Sequence, residues 1–171
     1  MNTEQVRTLY DYHFTLNRRI WDECITQLTD EQFVEEIPYS LGSIRNQVVH
    51  MMTVDAIWFA RLEEIHTPAA LEPEQIADRA TARRVWDSIE QRMRVYLDHL
   101  RDSRLDYVVK YTTRRMGPCQ TPSWQILTHV ITHGVDHRAQ VLAGLHTLGA
   151  PTLEQDLMLH IWDHENPDNS G

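Results

Sequence analysis

The sequence predicts an all-α fold: a four-helix bundle with a short extended insertion between the third and fourth helices and a short C-terminal helix. Three observations carry this reading. Four long segments repeat apolar side chains at alternating spacings of three and four, the period of an amphipathic helix. Capping hydroxyls, Pro and Gly punctuate those segments where helices begin and end. Only one stretch is dense in β-branched and aromatic residues, and no internal repeat is present. The 171 residues suffice for one core without staples. They are read as a single domain over 1–165 and a disordered polar tail over 166–171.

The first helix runs from a Thr3 cap to about Gln27. Val6, Leu9, Tyr10, Ile20, Trp21, Cys24 and Leu28 form its stripe, with His13 and Asn17 as polar members. Thr29-Asp30-Glu31-Gln32 reads as a short capped turn leading to Pro38. Gly42-Ser43 opens the second helix, which extends to about Ile65 before Thr67-Pro68. Ile44, Val48, Met51, Asp55, Trp58, Phe59, Leu62 and Ile65 follow the helical period, and His50 lies at the boundary of that stripe, facing a groove. After a polar linker with Pro73, Thr81 starts a third helix to about Arg101, with Ala82, Val85, Trp86, Ile89, Met93, Tyr96, Leu97 and Leu100 inward and His99 exposed. Tyr107–Thr113 is the extended segment, turning at Gly117-Pro118. Thr121-Pro122 supplies a capping hydroxyl followed by Pro at the first helical position. The fourth helix then runs to Leu148 and stops at Gly149. Thr152 caps a last short helix from Leu153 to about Trp162.

Composition excludes several functions. With a net charge of −9 and Lys110 as the single lysine, the chain is a poor partner for phosphate backbones, which attract Lys and Arg. No apolar run reaches the ~18 residues of a membrane span. The N-terminal MNTEQVRTLYDYHF lacks a signal-peptide pattern, so a cytoplasmic location is expected. Cys24 and Cys119 fit neither a disulfide framework nor a zinc finger and are read as reduced thiols. Arg114-Arg115 falls in the predicted turn, on a solvated face.

The informative cluster is in the fourth helix. His129, His133 and His137 are spaced by four, so consecutive pairs share a helix face with Cβ atoms about 6 Å apart. His129 and His137 are about 12 Å apart along the axis and cannot serve one ion together. The choice is 129/133 or 133/137, and the apolar face, centred near His133 and His137, favours the latter. Two buried imidazoles each need a polar partner, because an unsatisfied buried polar group costs about 1–3 kcal/mol. A shared metal serves both, and His50 from the second helix completes a three-histidine face with an open coordination position, as in catalytic zinc sites. Around them, Asp55 is a candidate to orient a ligand ring, His129 to donate at the edge of the site, Arg138 to pair with a carboxylate and Gln140 to hydrogen-bond across the bundle. Asp136 points off the ligand face. His13 is read as a satisfied core histidine, and Trp58 and Trp124 as packing residues.

The segment Ser43-Ile44-Arg45-Asn46-Gln47-Val48-Val49-His50, joined to Leu127-Thr128-His129-Val130-Ile131-Thr132-His133-Gly134-Val135-Asp136-His137-Arg138-Ala139-Gln140, resembles the DinB/YfiT-like superfamily. These are metal-binding four-helix bundles unrelated to the DNA polymerase that shares the name. Ala139 departs from the glycine common in the family, and the ligand positions are intact. The resemblance spans essentially the whole chain. It implies an up-down-down-up bundle, a homodimer, and a divalent metal, Zn first with Ni or Fe as alternatives, on His50, His133 and His137. Several branches of that superfamily are bacillithiol, mycothiol or glutathione S-transferases, and one is a maleylpyruvate isomerase. The expected activity is therefore thiol transfer to a small-molecule electrophile. A metal-dependent hydrolase or a non-catalytic metal-binding protein stands as the alternative. The catalytic group would be a metal-bound thiolate or water.

Overall fold

The computed structural model describes residues 1–165; the tail predicted to be disordered, 166–171, lies outside them. Helix α1 spans Thr3–Arg19, then widens into a π-turn over Ile20–Cys24 and tightens into a 3₁₀ turn over Ile25–Gln27. Its cap is Asn2, one residue before the expected Thr3, because Asn2 and Gln5 form a reciprocal capping box. A second box, Thr29 with Gln32, starts the short α2, Asp30–Val34. Helix α3, Ile44–Leu62, is capped by Ser43 as expected. It ends three residues before the expected Ile65, where Glu64 takes a left-handed conformation, φ 56°.

A 3₁₀ turn at Pro73–Gln75 precedes α4, Arg79–His99. Asp78 rather than Thr81 caps α4: its carboxylate accepts from the Thr81 backbone N–H at 2.6 Å. The short α5, Asp102–Leu105, was not legible in the sequence. The extended insertion is an antiparallel hairpin, β1 Val108–Thr113 and β2 Gly117–Pro122, with Val109 opposite Thr121 and Thr113 opposite Gly117. The chain reverses at 114–116, before the expected Gly117-Pro118, and Gly117, φ 69°, instead opens β2. Thr121 does not cap the next helix. It belongs to the β-ladder, and its hydroxyl meets Tyr111 Oη at 2.9 Å. Helix α6 spans Ser123–Thr147, with Gly149 beyond it at φ 72°. The last helix, α7, spans Leu157–Glu165 rather than starting at Leu153; Asp156, not Thr152, accepts from its first turn at the Met158 N–H, 2.7 Å.

Side-chain contacts fix the topology. Tyr10 packs on Phe59 and His13 faces Asp55, so α1 and α3 are antiparallel. Arg7 donates to the Leu97 carbonyl while Arg18 pairs with Glu90, so α1 and α4 are antiparallel too. Tyr10 Oη donates to the Leu127 carbonyl and Arg138 reaches Asn17, which makes α1 and α6 parallel. The four long helices thus run up, down, down, up. Their core divides in two. One apolar cluster gathers Ile20, Trp21, Cys24, Ile44, Val48, Trp86 and Leu145; the other gathers Val6, Tyr10, Phe14, Phe59, Met93, Leu97, Leu127 and Val130.

A buried polar layer lies at mid-bundle: His13, Asn17, Asp55 and Arg138, all at most 3% exposed. The Arg138 guanidinium donates to His13 Nδ1 and Asn17 Oδ1, each at 3.1 Å, and to Gln155 Oε1. His13 Nδ1 thus faces the guanidinium, while its Nε2 lies 3.2 Å from the Asn17 amide nitrogen and 3.8 Å from Asp55. Gly134 makes room for this ring, since a Cβ there would fall 2.4 Å from His13 Cε1. Among the described residues no helix is long and apolar enough to cross a membrane.

Candidate metal centre

Helices α3 and α6 are the most extensively packed long pair, and His50 meets His133 and His137 on their shared face. His50 Nε2 and His133 Nε2 are 3.1 Å apart. Ring centroids lie at 4.5 Å for His50–His137 and 4.2 Å for His133–His137. One nitrogen from each of the three rings lies within 4.8 Å of the others. Nitrogens bound at about 2.0–2.1 Å to a tetrahedral zinc stand roughly 3.3 Å apart, close to the His50–His133 separation. All three rings are half-buried, so the cluster is backed by the bundle and open on one side.

The hydrogen bonds behind the cluster select a tautomer. His137 Nδ1 is 2.8 Å from Gln47 Oε1. The Gln47 amide donates to Gln140 Oε1 at 3.0 Å, and the Gln140 amide donates to Asp136 at 3.1 Å. Ser40 also donates to Gln140 Oε1. With each acceptor assigned, His137 must donate from Nδ1, which leaves its Nε2 lone pair for the cluster. His133 has no such brace: its Nδ1 is buried without a hydrogen-bond partner. A cation held by Nε2 would fix the proton on that orphan nitrogen.

Burial is the main reason that all three imidazoles are held below the ordinary histidine value. His133 is pushed furthest, to about 3, by burial and then by the rings of His137, His50 and His129. Three neutral nitrogen donors in a half-buried concavity, with no proton to displace at neutral pH, fit a divalent first-row metal.

The expected surrounding residues divide. Gln140 does hydrogen-bond across the bundle, through Gln47. His129 stands at the edge, its ring 5.7 Å from His133 and 5.1 Å from Trp58. Asp55 does not orient a ligand ring. It lies five residues after His50 on α3, about 140° around the axis, and faces His13. Arg138 finds no carboxylate; among the described residues its partners are neutral side chains, and it stacks toward the Tyr12 ring at 5.2 Å. Gln47 is the residue that sequence reasoning missed. The available signal was its position one turn before His50 on the same helix. Outside the cluster, Cys24 is buried and Cys119 lies in the hairpin, and neither reaches the imidazoles.

A four-helix bundle with a three-imidazole cluster between its second and fourth long helices is the class of protein defined here. The DinB family profile matches residues 1–168, and the chain belongs to the DinB family. It is similar to Protein DinB of Bacillus subtilis (strain 168), 23% identical over 159 residues that cover 90% of this chain and 92% of the relative. Its fold resembles a DinB-like protein from Bacillus cereus ATCC 10987, with a TM-score of 0.63 at 17% identity over 88% of this chain and 97% of the other. A conserved protein from Enterococcus faecalis superposes with a TM-score of 0.58 at 14% identity, over 85% and 96% of the two chains.

Proposed function

We propose that this protein is a divalent-metal-dependent enzyme acting on small molecules, and that it transfers a low-molecular-weight thiol to an electrophile. The observation that carries the reading is the convergence of His50, His133 and His137, with the His137 tautomer set by Gln47. These three rings would hold the ion, Zn by preference with Ni or Fe as alternatives. When bound, a divalent ion on neutral ligands lowers the pKa of a thiol, supplying a thiolate at neutral pH. The chain's own residues do the rest. Gln47, Gln140 and Asp136 hold the His137 ring in place. The half-buried setting limits water around the sulfur.

Beside His129, the Arg61 guanidinium lies 4.3 Å from the Trp58 ring centroid and 4.7 Å from that of Tyr111. It offers an anchor for a carboxylate of the thiol or of the electrophile. In the reaction the thiol proton leaves to solvent, a sulfur–carbon bond forms, and the leaving group departs with its bonding pair. The cluster lacks the adjacent glutamate that serves as general base in HExxH hydrolases; its nearest hydrogen-bonded carboxylate, Asp136, is occupied by Gln140.

The test begins with elemental analysis of untagged protein, followed by conjugation of monochlorobimane with a panel of low-molecular-weight thiols. Metal-dependent conjugation that His50→Ala abolishes is the expected result. Metal-loaded protein that conjugates none of the thiols refutes thiol transfer.

A further inference from the structure

A second imidazole pair faces α1 from the C-terminal helix. His160 and His164 are four apart on α7, with ring centroids 4.2 Å apart. Their Nε2 atoms lie 3.2 Å and 3.3 Å from one oxygen of Asp11. The three ligand atoms lie within 4.8 Å of one another. Both nitrogen–oxygen separations match the roughly 3.3 Å edge of a tetrahedral zinc site with bonds of about 2.0–2.1 Å.

The hydrogen bonding argues for a cation at this point. His164 Nδ1 is 2.8 Å from the His160 carbonyl oxygen, which can only accept, so Nδ1 carries the ring proton. In neutral His164 the Nε2 lone pair then points at a carboxylate oxygen that is itself an acceptor. His160 Nε2 can donate to that oxygen; His164 Nε2 cannot. That contact of two lone pairs is relieved only by a positive charge between them, a ring proton or a metal ion. The adjoining cleft, about 330 Å³, is lined by Glu154, Asp156 and Asp163 as well as the two histidines. Arg19, its one cation, is taken up by Glu23 at 2.8 Å.

We propose that Asp11, His160 and His164 form a second divalent-metal site, one carboxylate and two imidazoles, that fastens the C-terminal helix to α1. Its ligand set suits Zn, Ni or Fe rather than Ca or Mg, which favour all-oxygen shells. It is separate from the cluster between α3 and α6 and does not depend on the activity proposed for that cluster.

The test is zinc titration of untagged, chelator-stripped protein at micromolar free metal, read as bound ions per chain and as the thermal midpoint. Wild type is expected to bind two ions. His164→Ala, at an exposed position that the fold tolerates, is expected to bind one and to lose part of the zinc-induced rise in midpoint. His133→Ala is expected to keep one ion, which Asp11→Asn in the same chain weakens at least tenfold. The proposal is overturned if His164→Ala binds as many ions as wild type, if His133→Ala binds none, or if the second ion appears only at millimolar zinc. Wild type that binds a single ion, lost in His164→Ala and kept in His133→Ala, would count against the α3–α6 cluster alone.

Discussion

Replacing Gln47 with leucine isolates the brace behind the candidate metal centre. The side chains are similar in volume, and Gln47 is buried at 3% exposure, so the packing change is small. What is lost is the 2.8 Å acceptor for His137 Nδ1. A buried hydrogen bond contributes about 0.5–1.5 kcal/mol net. The freed ring also regains the tautomer that places its proton on Nε2, and that form cannot bind a cation. Removing an outer partner of a ligand histidine typically lowers metal affinity about 10–100-fold, equal to roughly 1.4–2.7 kcal/mol. Gln140 still has Ser40 as a donor, so the damage stays with His137. Zinc affinity is measured by competition with a chromophoric chelator at pH 7.5, with the urea midpoint of the metal-free protein as a folding control. Gln47→Glu, which keeps the acceptor, is expected to bind at least as tightly as wild type. If Gln47→Leu folds normally and binds zinc within twofold of wild type, the assigned hydrogen-bond direction and its importance are refuted.

Losing a ligand is more severe than losing its support: His50→Ala is expected to weaken zinc at the α3–α6 cluster by more than about 100-fold in the same competition assay. Gly134→Ala is expected to destabilise the fold, because its Cβ meets the buried His13 ring at 2.4 Å. Overpacking of about 1–3 kcal/mol outweighs the ~1 kcal/mol gained in helix propensity, and a higher urea midpoint would refute this. Metal-free stability should fall with acid. Burial lowers the His13 pKa despite Asp55 beside it, and His50, His129, His133, His137 and His160 shift the same way. Folded histidines then bind fewer protons than unfolded ones below pH ~6.5. The native state is fully favoured above that pH and loses stability as pH falls, by up to about 1.4 kcal/mol per pH unit for the buried His13 and by less for the rings that solvent screens. Urea melts of chelator-treated protein at pH 7.5 and 5.5 measure this, and equal stabilities would refute it.

The bundle was legible because helical period is a local property, and His133 with His137 was legible for the same reason. His50 stood out as a polar residue at the edge of an apolar stripe. What escaped depends on contacts between distant segments. Gln47 reaches Gln140 across 93 positions, and no local pattern encodes that pairing. Asp55 sits on the core stripe, and only the placement of α1 reveals that His13 is what it faces. Helix starts were misjudged where a nearby acid or amide out-competed a threonine: Asn2 over Thr3, Asp78 over Thr81, Asp156 over Thr152. Thr121 followed the capping rule in sequence, but β-pairing with Val109 claimed it first.

The buried polar layer has one more consequence. It works as a key that sets how far each helix is inserted beside its neighbours. Sliding α1 by a single turn, about 5.4 Å, would strip Arg138 of His13 and Asn17 and press its charge against hydrocarbon, a far greater cost than a mismatched leucine. The alignment that brings His50 opposite His133 is thereby protected by a few ionisable groups, and the greasy positions above and below them are free to drift in identity.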